Sequence, residues 1–324
     1  MSTGEDRFRG LPLRGDIGQA MVDQGLTFLR YGGTMINIPG YRFKKMIGDR
    51  DKRPPYHGHW YRWSTNGFGI EDFLQFCEKA GFTAAFAVNI EETPQDMADM
   101  IEYLNGPVTS EWGRRRAENG HPEPYGVKYI GIGNEDLITD VFEERFTMIY
   151  LAIKEKYPEM IVVGTVGPFN EGTDYVEGWK LADKLGVPMV DEHYYQSPGW
   201  FLHNQDFYDK YDRSKKTKVY LGEYATHISG RRANMETALT EALYLTALER
   251  NGDVVHMSSY APLLAKDGRT QWNPDLIYFN NREVRPTTGY YVQKLYGQNA
   301  GDHYIPSQIN LDNQDGRVKL RVGS

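Results

Sequence analysis

Short apolar runs alternate with stretches of helical periodicity along most of the chain. The apolar runs predict seven strands, at residues 26–31, 83–89, 127–132, 160–165, 188–194, 217–223 and 253–260. Between them, apolar residues recur at i, i+3 and i+4, which predicts helices at residues 69–80, 93–104, 140–157, 173–185 and 234–251. Strands that are joined by helices indicate a parallel sheet covered on both faces.

Two α/β architectures fit this alternation, a doubly wound sheet and a (β/α)8 barrel. A length of 324 residues and the number of strands favour the barrel. We therefore predict a (β/α)8 TIM barrel over residues 1–300. Its first strand is missing or atypical, because no strand pattern precedes residue 26.

The last part of the chain, residues 301–324, has a different pattern. Two short alternating runs flank a Gly-containing turn, which predicts a β-hairpin. A lone hairpin is not stable by itself, so we interpret it as the start of an incomplete C-terminal β-sandwich. The chain is therefore expected to be trimmed at both ends.

Composition excludes several classes of function. The chain has 37 basic and 44 acidic residues, a net charge of −7, and no basic block, which argues against nucleic acid as a partner. No apolar run approaches the roughly 18 residues of a membrane helix. The single cysteine, Cys77, excludes an internal disulfide framework. The first residues resemble no signal peptide, but a trimmed N-terminus would have lost one, so both a cytoplasmic and an exported location stay open. The sequence also leaves open whether the protein forms a homo-oligomer.

Polar residues end three of the predicted strands. Asn134 and Glu135 follow one strand, His193 and Tyr195 end another, and Glu223 ends a third. The C-terminal ends of parallel barrel strands share one mouth, where barrel enzymes place their chemistry. Two carboxyl groups facing each other across about 5–5.5 Å would suit a retaining glycoside hydrolysis. A single glutamate after a strand is more often an ordinary loop carboxylate, but the whole set favours catalysis.

Several longer motifs support the same interpretation. They are Phe28-Leu-Arg30-Tyr-Gly-Gly33, Gly40-Tyr-Arg-Phe-Lys-Lys-Met-Ile-Gly48, Gly131-Ile-Gly-Asn134-Glu135, Asp191-Glu-His193-Tyr-Tyr195, Trp200-Phe, Leu221-Gly-Glu223-Tyr-Ala225, Tyr260-Ala-Pro-Leu and Trp272-Asn-Pro-Asp. Together they resemble glycoside hydrolase family 51, whose members are mainly retaining α-L-arabinofuranosidases on a (β/α)8 barrel. The resemblance runs from about residue 15 to the C-terminus. It places the family's first strand upstream of Met1.

The resemblance also implies roles for individual residues. Glu223 matches the nucleophile and Glu135 the acid/base, while Asn134 matches a donor to the sugar 2-hydroxyl. Tyr195 matches a tyrosine that steadies the nucleophile, and Arg30 an arginine that keeps it ionised. His193 is expected either to orient neighbouring groups or to be a structural histidine. The substrate would be an arabinose-containing oligo- or polysaccharide of plant cell walls, and no cofactor is expected.

Some features leave alternatives open. Trp63 and Trp272 are interpreted as sugar contacts, although most aromatic residues are expected to pack helices onto the barrel. The pair His57 and His59 lacks a third metal ligand at a sensible spacing, so no metal is expected. The charges at residues 114–116 are interpreted as an exposed loop. The alternative functions are an endo-β-1,4-glucanase, or another retaining glycosidase on the same scaffold, and a catalytically silent carbohydrate-binding barrel fragment.

Overall fold

A computed structural model of the protein describes residues 6–310 and residue 323. The strands in this part of the chain are β1 (Phe28–Tyr31), β2 (Thr83–Val88), β3 (Tyr129–Ile132), β4 (Ile161–Thr165), β5 (Met189–Gln196), β6 (Lys218–Thr226), β7 (Val255–Tyr260), β8 (Leu264–Lys266), β9 (Ile277–Phe279) and β10 (Val284–Pro286). The α-helices are α1 (Gly15–Asp23), α2 (Ile70–Ala80), α3 (Pro94–Asn105), α4 (Glu111–Glu118), α5 (Asp140–Lys156), α6 (Thr173–Leu185), α7 (Pro198–His203), α8 (Met235–Arg250) and α9 (Thr288–Gln298).

The predicted alternation of strands and helices is confirmed. The seven predicted strands correspond to β1–β7, and the five predicted helices to α2, α3, α5, α6 and α8. Local signals explain why the helix boundaries were readable. The Thr93 side chain accepts the N–H of Asp96, with a proline at the first helical position, and the Thr139 side chain accepts the N–H of Phe142.

Strands β1 to β7 lie in one sheet in chain order. The pairs described residue by residue are parallel, from β1 with β2 through β4 with β5, and β6 with β7. Parallel strands in chain order put all their C-terminal ends at one edge of the sheet. In residues 6–27 no strand precedes β1, in agreement with the predicted absence of a first strand.

The chain divides into two compact units, which are described separately. Residues 27–193 form one unit, with β1–β4, the first five residues of β5 and helices α2–α6. Its interior is apolar, and the fully buried side chains include Ile130, Val162 and Ile149 from β3, β4 and α5. Burying strands and helices in this way removes apolar surface from water, which stabilises the unit.

The other unit combines residues 6–26 with the described residues from 194 onward. It contains the last three residues of β5, strands β6 and β7, and a small sheet in which β9 lies between parallel β8 and antiparallel β10. An aromatic cluster packs α7 against α8. In it the Tyr194 hydroxyl lies 2.6 Å from the Tyr244 hydroxyl, and the Phe201 and Tyr244 rings are 4.8 Å apart.

The prediction of an exposed loop at residues 114–116 was wrong. These residues belong to α4, and the Arg116 side chain is fully buried. Its guanidinium donates to the carbonyl oxygens of Tyr103, His121 and Pro122. A buried arginine is tolerated when its donors are satisfied in this way.

Most of the predicted C-terminal hairpin, at residues 311–322, lies outside the described residues. The hairpin and the domain boundary at residue 300 therefore stay predictions. None of the helices in the described part of the chain has the length and apolar character needed to cross a membrane.

Candidate active site

Except for Trp63, the predicted site residues fall into two groups of side chains, one in each unit. The Glu135 group consists of Arg30, Asn134, Glu135, Asp191 and His193, in the unit of residues 27–193. The Glu223 group consists of Tyr195, Glu223, His227 and Trp272, in the other unit. Strand β5 contributes to both groups.

A tight turn after β3 positions Glu135. Gly133 has φ of 80°, and a Cβ there would lie 2.4 Å from Asp136 Oδ2, so the turn requires glycine. Glu135 itself has φ of 53°, a conformation that costs free energy for a residue with a side chain. The Glu135 N–H donates to Thr165 Oγ1 at 3.0 Å, and the Asn134 N–H to Asp136 Oδ2 at 2.7 Å. Side chains on both sides therefore hold the turn.

The position of Asp136 in this turn changes the protonation equilibrium of its carboxyl. Burial raises its pKa to about 6, and the nearby Glu135 charge adds to the rise, although the bond from the Asn134 N–H opposes it. Asp136 thus supports the turn from a site that disfavours its own charge.

Asn134 is fully buried and oriented by neighbours. Its Oδ1 accepts from the guanidinium of Arg30, and its carbonyl oxygen accepts from the Asn37 side chain at 2.8 Å. With Oδ1 occupied by a donor, the Nδ2 group is directed elsewhere, and it has no hydrogen-bond partner among the described residues. An unsatisfied buried donor is costly and suits a ligand oxygen.

His193 connects two carboxyl groups of the Glu135 group. Its Nδ1 lies 2.9 Å from Glu135 Oε1, and its Nε2 lies 3.0 Å from Asp191 Oδ2. The imidazole and Asp191 are both buried, while Glu135 is half-buried. Arg30 adds a positive charge 3.5 Å from Asp191 Oδ2. The result is a series of ionisable groups that leads from the half-buried Arg30 through the buried Asp191 and His193 to Glu135.

The Glu223 group has a different character. Glu223 lies on β6, and its Oε2 accepts from the Tyr195 hydroxyl at 2.7 Å. The Tyr195 ring stacks on the His227 ring with centroids 4.8 Å apart, and Trp272 packs against both rings. Burial and, to a smaller extent, the positive charge of Arg231 together lower the pKa of His227 to about 4. The carboxylate is therefore bordered by a phenol and neutral rings.

A buried carboxyl also supports the end of β6. Glu241 of α8 accepts the backbone N–H of Thr226 at 2.9 Å, three residues after Glu223. Burial raises the pKa of Glu241 to about 7, although the bonds from Thr226 oppose the rise. This arrangement resembles that of Asp136 beside Glu135.

The two predicted tryptophans differ in their surroundings. Trp272 is a member of the Glu223 group, as its contacts with Tyr195 show. Trp63 lies between β1 and α2, 56% exposed, and packs edge-on against His57 with ring centroids 4.2 Å apart. Nothing within its own unit connects Trp63 to the Glu135 group.

Sequence reasoning missed three members of the site. Asp191 precedes His193 by two residues, a spacing that puts both side chains on the same face of β5, so the alternation could have indicated it. Asp136 and His227 follow Glu135 and Glu223 in loops, where no periodic pattern exists. Only the folded contacts reveal their roles.

Comparison with known proteins shows which protein family this chain belongs to. A family model described as Alpha-L-arabinofuranosidase 1 domain matches residues 20–213. A second, described as Alpha-L-arabinofuranosidase C-terminal domain, matches residues 207–319. The chain belongs to the α-L-arabinofuranosidase family of glycoside hydrolase family 51. The resemblance drawn from the motifs is thereby confirmed.

Individual relatives in this family cover most of the chain. It is 37% identical to an extracellular exo-α-L-arabinofuranosidase of Streptomyces chartreusis over 91% of its length, and 30% identical to α-L-arabinofuranosidase 1 of Arabidopsis thaliana over 94%. The structure of an arabinose-bound family 51 α-L-arabinofuranosidase superposes with a TM-score of 0.83, at 29% identity and over 94% of the chain. This likeness confirms the predicted TIM-barrel fold.

The relatives are longer than this chain. It spans 39% of the Streptomyces protein, 46% of the Arabidopsis protein and 53% of the solved chain. Family and fold are therefore established, whereas the activity of the whole protein is a matter for proposal.

Proposed function

We propose that this protein removes terminal α-L-arabinofuranosyl residues from arabinose-containing oligo- or polysaccharides of plant cell walls, with retention of configuration. Membership of the α-L-arabinofuranosidase family supports the reaction class. The observation that carries the proposal is that each glutamate of the family motifs contacts a side chain of β5. His193 lies against Glu135, and Tyr195 donates to Glu223.

In the first step, a carboxylate oxygen of Glu223 attacks the anomeric carbon of the arabinofuranosyl group. The bond between that carbon and the aglycone oxygen breaks, and its electron pair goes to the oxygen. Glu135 gives its proton to the same oxygen, so the aglycone leaves as a neutral alcohol. The enzyme then holds a covalent glycosyl ester on Glu223.

In the second step, Glu135 acts as a base. It takes a proton from water while the water oxygen attacks the anomeric carbon, and the ester bond to Glu223 breaks. Arabinose is released, Glu223 regains its charge, and Glu135 regains its proton. Two inversions at one carbon give overall retention.

The surrounding side chains fit these tasks. The buried Asn134 Nδ2 group, which Arg30 orients through Oδ1, is suited to donate to a sugar hydroxyl, the role that the family motif implies. The Tyr195 hydroxyl steadies Glu223 without supplying a competing acid, because a phenol ionises far above neutral pH. Trp272 offers an aromatic face next to Tyr195 for the apolar side of a sugar ring.

The direct test is release of nitrophenol from an aryl α-L-arabinofuranoside by the wild type and by Glu223→Gln. We expect the variant to lose activity by at least about 10⁴-fold, the scale expected when the nucleophile of a covalent mechanism is removed. Glu236→Gln changes an exposed glutamate on α8 and serves as a matched control with wild-type rates.

Other outcomes would contradict the proposal. Cleavage inside a β-1,4-glucan, with no arabinose released, would indicate an endo-glucanase. Binding of arabino-oligosaccharides by a folded wild type without any turnover would indicate a silent carbohydrate-binding barrel.

A further inference from the structure

Arg231 lies next to the Glu223 group, on a turn that holds it in an unusual backbone conformation. The turn follows β6, and the Arg231 N–H donates to the Ile228 carbonyl oxygen at 3.0 Å. Gly230 has φ of 79° and Arg231 has φ of 51°, and the second value costs free energy because Arg231 has a side chain. The fold thus places an arginine where a glycine would be less strained.

Three contacts orient the Arg231 guanidinium. Its carbon Cζ lies 4.9 Å from the centroid of the Trp272 ring, which is a cation–π contact. Its Nη1 donates to His227 Nδ1 at 2.7 Å and to the Asn273 carbonyl oxygen at 3.4 Å. Because the pKa of His227 is lowered to about 4, the imidazole is neutral at neutral pH and can accept this hydrogen bond. The guanidinium is therefore preorganised, although the Arg231 side chain is exposed.

The opposite edge of the guanidinium, formed by Nε and Nη2, faces no acceptor of the described chain. Among the described residues, Arg231 forms no ion pair and donates no hydrogen bond through Nε or Nη2. Three other arginines of this unit each pair with an aspartate, namely Arg213, Arg250 and Arg285. The N–H groups on the Nε–Nη2 edge are parallel, which is the geometry that binds both oxygens of a carboxylate. This edge is therefore suited to an external carboxylate.

The position of Arg231 relative to Glu223 decides which part of a substrate would carry that carboxylate. His227 and Trp272, which contact the guanidinium, both pack against the Tyr195 ring. The Tyr195 hydroxyl in turn donates to Glu223. One layer of rings thus separates the guanidinium from the carboxylate of Glu223. Because arabinose has no carboxyl group, a carboxylate at Arg231 must belong to the aglycone.

We propose that the Nε–Nη2 edge of Arg231 binds a uronic-acid carboxylate of the aglycone, so that the preferred substrates are arabinofuranosyl groups on acidic, uronate-containing chains. This inference rests on the proposed function and names its substrate class. Uronic acids supply most of the negative charge of plant cell-wall polysaccharides. Since this protein has a net charge of −7, an acidic chain is repelled overall, and a cation beside the Glu223 group counteracts that repulsion locally.

One pair of substrates isolates the charge of the aglycone. Oligosaccharides with a terminal arabinofuranosyl group on a uronic-acid chain are compared with their methyl esters, which have the same sugars and linkages but no negative charge. The measured quantity is the acid/ester ratio, kcat/KM on the acid divided by kcat/KM on the ester. We expect a ratio of about 5–10 for the wild type at low ionic strength, the scale of an exposed charge-assisted pair. The ratio should decrease toward 1 as salt is added, because salt screens an exposed ion pair.

Substitution of Arg231 separates carboxylate binding from a structural role. Arg231→Gln removes the charge, so we expect its acid/ester ratio to fall to about 1. Arg231→Lys keeps the charge but not the two parallel N–H groups, so its ratio should lie between those of Arg231→Gln and the wild type. Arg282→Gln is the matched control, because Arg282 is an exposed arginine of the same unit and this variant has the same net charge as Arg231→Gln. It should keep the wild-type ratio.

Several results would overturn the inference. They are a wild-type ratio near 1, an equal loss on acid and ester in Arg231→Gln, which would indicate a structural role, and the same fall of the ratio in Arg282→Gln, which would indicate attraction by net charge alone.

Binding without turnover separates this inference from the proposed function. In calorimetry with Glu223→Gln, the acid should bind about 5–10-fold more tightly than the ester, and the additional change Arg231→Gln should abolish the difference. This preference, found together with a wild type that releases no arabinose, would refute the proposed function but support the carboxylate site. Release of arabinose from acid and ester at equal rates would support the proposed function and refute the carboxylate site.

Discussion

The surroundings of Glu135 and Glu223 differ in kind. Glu135 is next to a series of ionisable groups formed by the buried His193 and Asp191 and the half-buried Arg30. Glu223 accepts from the Tyr195 hydroxyl and is bordered by stacked rings. Ionisable neighbours can exchange or hold a proton, whereas a phenol at neutral pH donates a hydrogen bond and keeps its proton. The difference between the two surroundings therefore matches the difference between an acid/base and a nucleophile.

The outer support of the two glutamates is similar. Asp136 accepts a backbone N–H beside Glu135, and Glu241 accepts one near the end of the strand that carries Glu223. Burial raises the pKa of both supporting carboxyls, to about 6 and about 7. The two surroundings thus differ in the groups that touch Glu135 and Glu223, whereas a buried carboxyl accepts a backbone N–H in both places.

Of the changes that test this comparison, removal of the Glu135 carboxyl is expected to have the largest effect on kcat/KM. Glu135→Ala should lower kcat/KM by about 10²–10⁴-fold on alkyl arabinofuranosides and by much less on nitrophenyl arabinofuranosides, because only the former need a general acid to leave. Added azide should restore turnover of the nitrophenyl substrate, as a small anion can replace water without a base. Glu118→Ala, at an exposed position on α4, is the control. Equal losses on both substrates would remove the distinction between the two surroundings.

A smaller effect is expected for the contact of Tyr195 with Glu223. Tyr195→Phe removes a hydrogen bond to a charged group, which is worth about 1.5–3 kcal/mol, so kcat should fall by about 10–100-fold. The loss should be similar for good and poor leaving groups, because the nucleophile and not the acid is affected. Tyr291→Phe, on the exposed side of α9, should keep the wild-type rate. A loss that grows with poorer leaving groups would mean that Tyr195 acts on the proton.

The two tryptophans offer a third contrast. Trp272→Ala should lower kcat/KM by about 3–10-fold, since it removes ring contacts next to Tyr195 worth about 0.5–1.5 kcal/mol. Trp63→Ala, at an exposed position in the other unit, should change it by less than about 2-fold. Steady-state kinetics on the nitrophenyl substrate measure both. The reverse order would place the sugar contact at Trp63.

Replacement of Glu241 is expected to have the smallest effect on catalysis. Its expected effect is on how stability depends on pH. The folded pKa of about 7 exceeds the ordinary value of 4.5, so the folded state retains a proton that the unfolded state releases. The wild type should therefore lose stability as the pH rises from about 4.5 to 7, and little more above that.

Glu241→Gln keeps the acceptor for the Thr226 N–H but carries no proton to lose. Its free energy of unfolding relative to that of the wild type should therefore rise between about pH 4.5 and 7. The total rise should be on the order of 3 kcal/mol and should be complete above pH 7. Urea unfolding at pH 5 and pH 8 measures the change. A constant difference between the two proteins at both pH values would show that Glu241 does not titrate in this range.

Most of the fold could be predicted from the sequence, because strand and helix periods are local properties. The runs that became β1–β7 carry continuous apolar residues, and the helices between them begin at caps such as Thr93 and Thr139. The elements that were missed, α1, α4, α7, α9 and the small sheet, are short or weakly periodic. The α4 helix shows the limit well, since three consecutive arginines look like an exposed loop until the carbonyls that bind Arg116 are known.

The two candidate catalytic carboxyls, Glu135 and Glu223, could also be predicted from the sequence, because both follow apolar strands within specific motifs. What the tertiary structure decided is which groups surround them. The contact of His193 with Glu135 joins residues 58 positions apart, and the proximity of Arg30 to Asp191 joins residues that are more distant still. No local pattern encodes such separations. They arise because parallel strands bring their C-terminal ends to one edge of the sheet, where side chains from remote segments meet.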